Sequence, residues 1–411
     1  MLDPLGSWNG SAFHAPSKIP RQRFGFSLTS SRYSQPTKCP IVKKVLLLLV
    51  ATIAILVSCS KDDPEEGLDT FGLEGDRLVL DVQEFPYPTL SEYGFFKGPM
   101  VNQRPVAGVL PYAPINSLFT DYAHKFRFVW MPQGAKAVYN GDHDVLDFPD
   151  GAVLIKSFYY DRVLPEDSRR IIETRLLFKR NGQWEFADYV WNNEQTQATL
   201  DLNGSFTPVT WLDDSGVERS VNYRIPSEAE CLTCHKLNDD AIPIGPKPQN
   251  LNIIFDYPAD RIRLASGPMN QLAKWVQVGY LQRGYPKTIS TVPHWDDPTA
   301  DLNTRVRAYV DIHCAHCHRE GSHCDYRPMR FAFNETVIPA NLGVCVPPDD
   351  PILPQHSHIV ARGSTERSLL FYRISSTNEA ERMPLLGRTL VHTEGVSMFS
   401  DWINGLSPAC P

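Results

Sequence analysis

The chain has 411 residues, 42% of them hydrophobic, with 47 acidic side chains against 40 Lys and Arg and a formal net charge of −7. That length allows two or three domains, and the apolar fraction is ordinary for a globular protein. The acidic balance makes a nucleic-acid partner a poor match.

Residues 1–40 contain Ser, Pro and Arg without apolar periodicity, which fits poorly ahead of an export signal, so translation is expected to start near Ile41 or Val42. Val45–Val57 is an apolar run of 13 residues preceded by Lys43 and Lys44. It is too short to span a bilayer and has the size of a signal-peptide core. Leu56-Val57-Ser58-Cys59 resembles the lipobox of bacterial lipoproteins, which implies cleavage before Cys59 and a lipid on its thiol. The alternative is an ordinary secretory signal with a chance cysteine. Residues 1–58 carry seven Lys and Arg and one acid, so their removal takes the net charge from −7 to −13. The expected location is the bacterial outer membrane, facing the periplasm or the cell surface.

Residues 59–83 begin Ser60-Lys61-Asp62-Asp63-Pro64-Glu65-Glu66 after the lipidated cysteine, an acidic, apolar-poor run that reads as a flexible tether. Residues 84–226 read as a β-rich domain. Phe126–Trp130 alternates, and Ala152–Tyr160 is apolar and β-branched apart from Lys156 and Ser157. Ile171–Phe178, Asn181-Gly182 and Trp184–Trp191 predict a hairpin with a primed turn. A second turn, Asp213–Gly216, separates Val209–Trp211 from Val221–Tyr223. An antiparallel sandwich or half-barrel follows. The segment Phe148–Lys156 weakly resembles part of the β-rich cytochromes whose haem is cross-linked to lysine. The domain holds no CxxCH, so Lys156 is expected to face outward from its strand.

Residues 227–303 form the first of two motif regions, opening on Cys231-Leu232-Thr233-Cys234-His235; Pro268–Leu281 reads as a helix. Residues 304–411 form the second. A helix-like run from Thr304 to Ile312 leads into Cys314-Ala315-His316-Cys317-His318, and an amphipathic segment, Glu394–Asn404, ends the region. CxxCH is the attachment signal for haem c: each thiol adds to a vinyl group and the histidine ligates the iron. A zinc site using both CxxC pairs would need ligands 80 residues apart, far beyond zinc-ribbon spacing. Two covalently attached haems c are therefore expected, on Cys231, Cys234, His235 and on Cys314, Cys317, His318. His313, His316 and His323 are expected to be solvent-facing or hydrogen-bonded.

Helix, CxxCH, the loop Arg382-Met383-Pro384 placed 65 residues after His318, and a terminal helix follow the order of class I cytochrome c, which this region resembles. The resemblance implies Met383 as the sixth iron ligand; Met398, in the terminal helix, is the rival. For the first haem, Met269, His294 and Met329 are the candidates, with Met269 preferred and an open sixth position as the alternative. Of the remaining cysteines, Cys324 and Cys345 share one long loop and are expected to pair, leaving Cys410 over.

The fold class expected is multidomain α+β: an antiparallel β-rich domain followed by mostly α-helical, cytochrome c-like haem domains. Leu118–Ala123, Glu173–Leu177, Tyr189–Asn192, both CxxCH motifs and Arg382-Met383-Pro384 together resemble an uncharacterised family of exported bacterial di-haem proteins. The function expected is a lipid-anchored cytochrome that relays single electrons to a redox partner protein. Two alternatives stand beside it: a peroxidase-like or oxidase-like enzyme with an open site at the first haem, and a cell-surface binding protein with accessory haems.

Overall fold

A computed structural model of the chain describes residues 77–257 and 267–411. The signal peptide, Cys59 and most of the tether lie outside the described residues.

Eight antiparallel strands form the central sheet: β1 (Leu110–Pro111), β2 (His124–Trp130), β3 (Val153–Val163), β4 (Ser168–Arg180), β5 (Gln183–Trp191), β6 (Ala198–Leu200), β7 (Ser205–Leu212) and β8 (Glu218–Ile225). The first six lie in chain order. β7 joins at the far end of β3, beyond a bulge between Tyr160 and Val163, and β8 pairs with β7. The β4–β5 hairpin turns on Asn181 and Gly182, whose φ angles are +52° and +79°. Two positive φ angles define the primed turn that matches strand twist, and Asn-Gly tolerates them best.

Alternation divides the central strands into two faces. Phe128, Ile155, Leu176 and Ala187 belong to one core, and Val129, Leu154, Leu177 and Phe186 to another. The first core is closed by the irregular segment 82–109, where Phe85, Tyr93 and Phe95 meet ring to ring. The second is closed by residues after β8, with Trp275 set edge-on against Tyr112 and Phe148. Each of these large side chains contributes about 2 kcal/mol through burial.

The remainder is less helical than expected. The helix expected at Pro268–Leu281 is reduced to Gln271–Gln277, because Gly267–Asn270 pairs as a strand with Ile254–Tyr257. Pro268 donates no helical hydrogen bond, and Asn270 caps the helix by accepting from Ala273 N at 3.2 Å. The helix leading into the second motif runs Leu302–His313, capped by Asp301, and the terminal helix runs Thr393–Gly405. They cross where Gly395 faces Tyr309; a Cβ there would sit 2.8 Å from the tyrosine oxygen, so glycine sets the approach. Much of the chain between residues 314 and 368 is turn and loop. The described residues belong to one compact unit. Within it, Lys247 Nζ and Asp311 Oδ1 form a buried ion pair at 3.0 Å.

Candidate haem-binding site

The first motif begins where β8 ends. Ser227 and Glu230 form a reciprocal capping box that starts the helix Glu228–Cys234. Cys231 and Cys234, three apart, project from one side of that helix into a cavity. The chain then folds into a small hairpin, Lys236–Leu237 against Asp240–Ala241, which curls round His235. His235 Nδ1 lies 2.8 Å from the carbonyl oxygen of Ile242. A carbonyl can only accept, so Nδ1 carries the proton and Nε2 keeps its lone pair. Burial lowers His235 to about 4 and raises the Cys231 thiol to about 12.

The second motif follows the helix Leu302–His313, whose last turn carries His313. That histidine is fully used: Nδ1 donates to Tyr309 O at 2.8 Å and Nε2 accepts from Phe119 N at 2.9 Å. It therefore takes the hydrogen-bonded role expected of it. His323 is exposed. His316 is buried rather than solvent-facing; it lies beside Cys234 and Cys317, and its Nδ1 lacks a hydrogen-bond partner among the described residues. His318 is likewise buried with Nδ1 unpartnered, and burial lowers it to about 4. Burial raises Cys314 to about 12.

Cys314, Cys317, His318 and Met383 line one second cavity, together with Met329. Met383 is held through its backbone: its N–H donates to Arg373 O at 3.0 Å, and its carbonyl accepts from Arg388 Nε at 3.0 Å. The buried Arg388 guanidinium also donates to the carbonyls of Arg373, Ile374, Ser376 and Leu390. The other end of the loop is tied to the sheet domain, because Asp121 accepts from the backbone N–H groups of Thr389 and Leu390 at 2.7 Å each. Met398 packs in the core between the two crossing helices and does not line the cavity.

The two cavities adjoin. Cys234, His316, Pro384 and Leu386 line both. Ligand atoms of Cys234, His316 and Cys317 lie within 4.8 Å of one another, a set that could hold a metal ion. The two neighbouring sulfurs titrate as a pair: Cys317, and with it His316, holds the Cys234 thiol well below its usual range, and Cys234 pushes Cys317 up.

Several expectations are corrected here. Met269 pairs with Phe255 in a short sheet and packs into the core beside the first cavity without lining it. His294 is exposed and stacks on Trp295, and Met329 lines the second cavity instead of the first. Lys156 does not point outward; it lines the first cavity. Cys324 and Cys345 do not pair. Cys345 is bonded to Cys410, with an S–S distance of 2.11 Å, and Cys324 is a buried free thiol. The cause is the chain path: Cys324 N donates to Cys317 O at 2.9 Å, which folds that thiol back onto the motif, while the C-terminal segment returns to Cys345.

Arg388, Asp121 and the Lys247–Asp311 pair were not singled out in the sequence. Only Asp121 had a signal, as part of the Leu118–Ala123 string. No protein-family model, curated protein or solved structure matches this chain.

Proposed function

We propose that this protein is an exported, lipid-anchored c-type cytochrome that carries two covalent haems and relays single electrons. The observation that supports this most is the tertiary adjacency of the two CxxCH motifs, each on its own cavity and the cavities sharing a wall. The donor chemistry fits haem. Cys231 and Cys234 would tether the first group and Cys314 and Cys317 the second, with His235 and His318 as proximal ligands and Met383 as the distal ligand of the second. His318 is buried and lines the second cavity with Cys314, Cys317 and Met383, so one set of thiol, imidazole and thioether donors faces one space. The lipid anchor rests on the sequence around Cys59.

Haem supplies the one-electron iron couple. The chain's own residues supply orientation and exclusion of water. Ile242 O fixes the His235 tautomer and strengthens Nε2 as a donor. Arg388 and Asp121 keep the Met383 loop in one place. The crossing of the helices 302–313 and 393–405 closes the apolar core beside the second motif, which is the part of the molecule that carries the cytochrome c-like reading.

Intact mass of the mature protein should exceed the polypeptide by two haem additions. Cys231→Ala with Cys234→Ala should remove one, and Cys314→Ala with Cys317→Ala the other. A preparation holding zinc without iron would overturn the proposal and assign Cys234, His316 and Cys317 to a metal ion.

One observation favours a second reading, a ligand-binding haem enzyme: no methionine lines the first cavity among the described residues. A high-spin fraction in the oxidised protein that binds cyanide would support it, and two low-spin, inert haems would remove it.

A further inference from the structure

The wall of the first cavity contributed by the sheet is graded in polarity by strand register. Arg127 on β2 is paired with Lys156 on β3, Lys156 with Arg175 on β4, and Arg175 with Asp188 on β5. All four line the cavity. Two residues further along the strands the same face carries Leu154, Leu177 and Phe186, which also line it. A basic row therefore runs parallel to an apolar row, which sits beside the helix bearing Cys231 and Cys234.

The charges in the basic row do not balance. Arg175 is satisfied: Glu173 takes its guanidinium through two oxygens, and Asp188 lies 3.3 Å from its Nε. Tyr223 donates to the same Glu173 at 2.6 Å. Arg127 donates only to a neutral hydroxyl, Ser117 Oγ, at 2.6 Å. Lys156 rests its ammonium 4.6 Å above the Phe158 ring. Among the described residues neither Arg127 nor Lys156 has a carboxylate within ion-pair distance. Of the other acids lining the cavity, Glu230 is committed to Arg224 and the helix cap and Asp201 to the N–H groups of Asn203 and Gly204, while Glu228, in the first turn of the helix, forms no ion pair with Arg127 or Lys156 among the described residues. Burial without a counter-charge pushes both Lys156 and Arg127 down from their usual range, and an anion or water in the cavity would offset that cost. Amines and guanidinium groups beside an apolar strip match a ligand with an apolar body and a carboxylate edge.

We propose that Arg127 and Lys156 form a carboxylate-binding site in the first cavity, and that it receives the propionates of the haem tethered at Cys231 and Cys234. This rests on the haem reading above and deepens it, because it fixes which edge of the group faces the sheet. The same chemistry would accept a free small carboxylate, and the test separates the two.

The test uses the full mature protein and its Lys156→Gln and Arg127→Gln variants, with Lys156→Arg as the charge-conserving control. Intact mass counts haems, and a redox titration follows both midpoints; the wave belonging to the second haem is the one that moves in Met383→Ala. Cations near a haem favour its reduced form, so each Gln variant should keep two haems and lower the first midpoint. The second midpoint should stay in place, and Lys156→Arg should restore the first. Unmoved midpoints in both Gln variants would overturn the propionate site. So would a first-haem spectrum that responds to added formate in the wild type but not in the variants, with midpoints otherwise equal, since the ligand would then be a free anion. A wild-type mass lacking haem on Cys231 and Cys234 would instead overturn the haem reading, and this proposal with it.

Discussion

The thiol of Cys317 donates to the carbonyl oxygen of Thr233 at 3.4 Å, joining two motifs whose bonded residues stand 84 positions apart. Asn238 N reinforces the junction by donating to Gly321 O at 2.6 Å. On the haem reading proposed above, electrons would pass between the two motifs within the molecule, without a diffusional step.

Met383→Ala should convert one haem from low-spin to high-spin and lower its midpoint, because a thioether favours ferrous iron. The electronic and EPR spectra of the variant report both. An unchanged spectrum would show that another residue holds the sixth position, and Met329, which lines the same cavity, would be the next to replace.

Arg388→Met should destabilise the protein by about 3 kcal/mol, since several buried carbonyls lose a charged donor at once. The loop that presents Met383 should loosen with it, giving a temperature-dependent high-spin fraction well below the unfolding transition. A variant as stable as the wild type, with an unaltered spectrum, would show that the loop is held by Asp121 alone.

Cys410→Ser should lower stability by about 4 kcal/mol on the loop-entropy account, because the Cys345–Cys410 bond closes a separation of 65 residues. Cys324→Ser should leave that bond intact. Peptide mapping without reductant decides between pairings: a Cys324–Cys345 peptide would contradict the structure.

Stability should fall with acidification between pH 6.5 and 4. Burial lowers His313 from 6.5 to about 3 and His392 to about 4. The unfolded chain then binds more protons than the folded one throughout that window, so acid favours unfolding. His392 alone accounts for about 2 kcal/mol at pH 5. Denaturant midpoints at pH 7.5 and pH 5 measure the loss, and His392→Gln should flatten the slope. An equal slope in that variant would place the titration elsewhere.

Much of the sheet was readable without coordinates. Asn181-Gly182 between alternating runs requires a primed turn, Phe126–Trp130 falls within β2, and Ala152–Tyr160 falls within β3 from its second residue on. These are local effects, carried by residues adjacent in sequence. Reading failed where local and tertiary preferences competed. Pro268–Leu281 has helical periodicity, yet its first residues pair with Ile254–Tyr257. Cys324 and Cys345 are neighbours along the chain, yet Cys345 meets Cys410.

What the sequence by itself determined is the chemistry on offer: two CxxCH units, a Met-Pro loop, and the alternation that makes a two-faced sheet. Those properties reside in residue types at short spacing. What only the tertiary structure decided is which of these groups share a space. Lys156 could face either side of a strand until the register of β2, β3 and β4 placed it between Arg127 and Arg175. The two motifs could have occupied separate domains until Thr233 and Cys317, and Lys247 and Asp311, were brought together. The physical reason is that pairing register, buried ion pairs and shared cavities depend on contacts between segments far apart in the chain, and no short window of residues contains both partners.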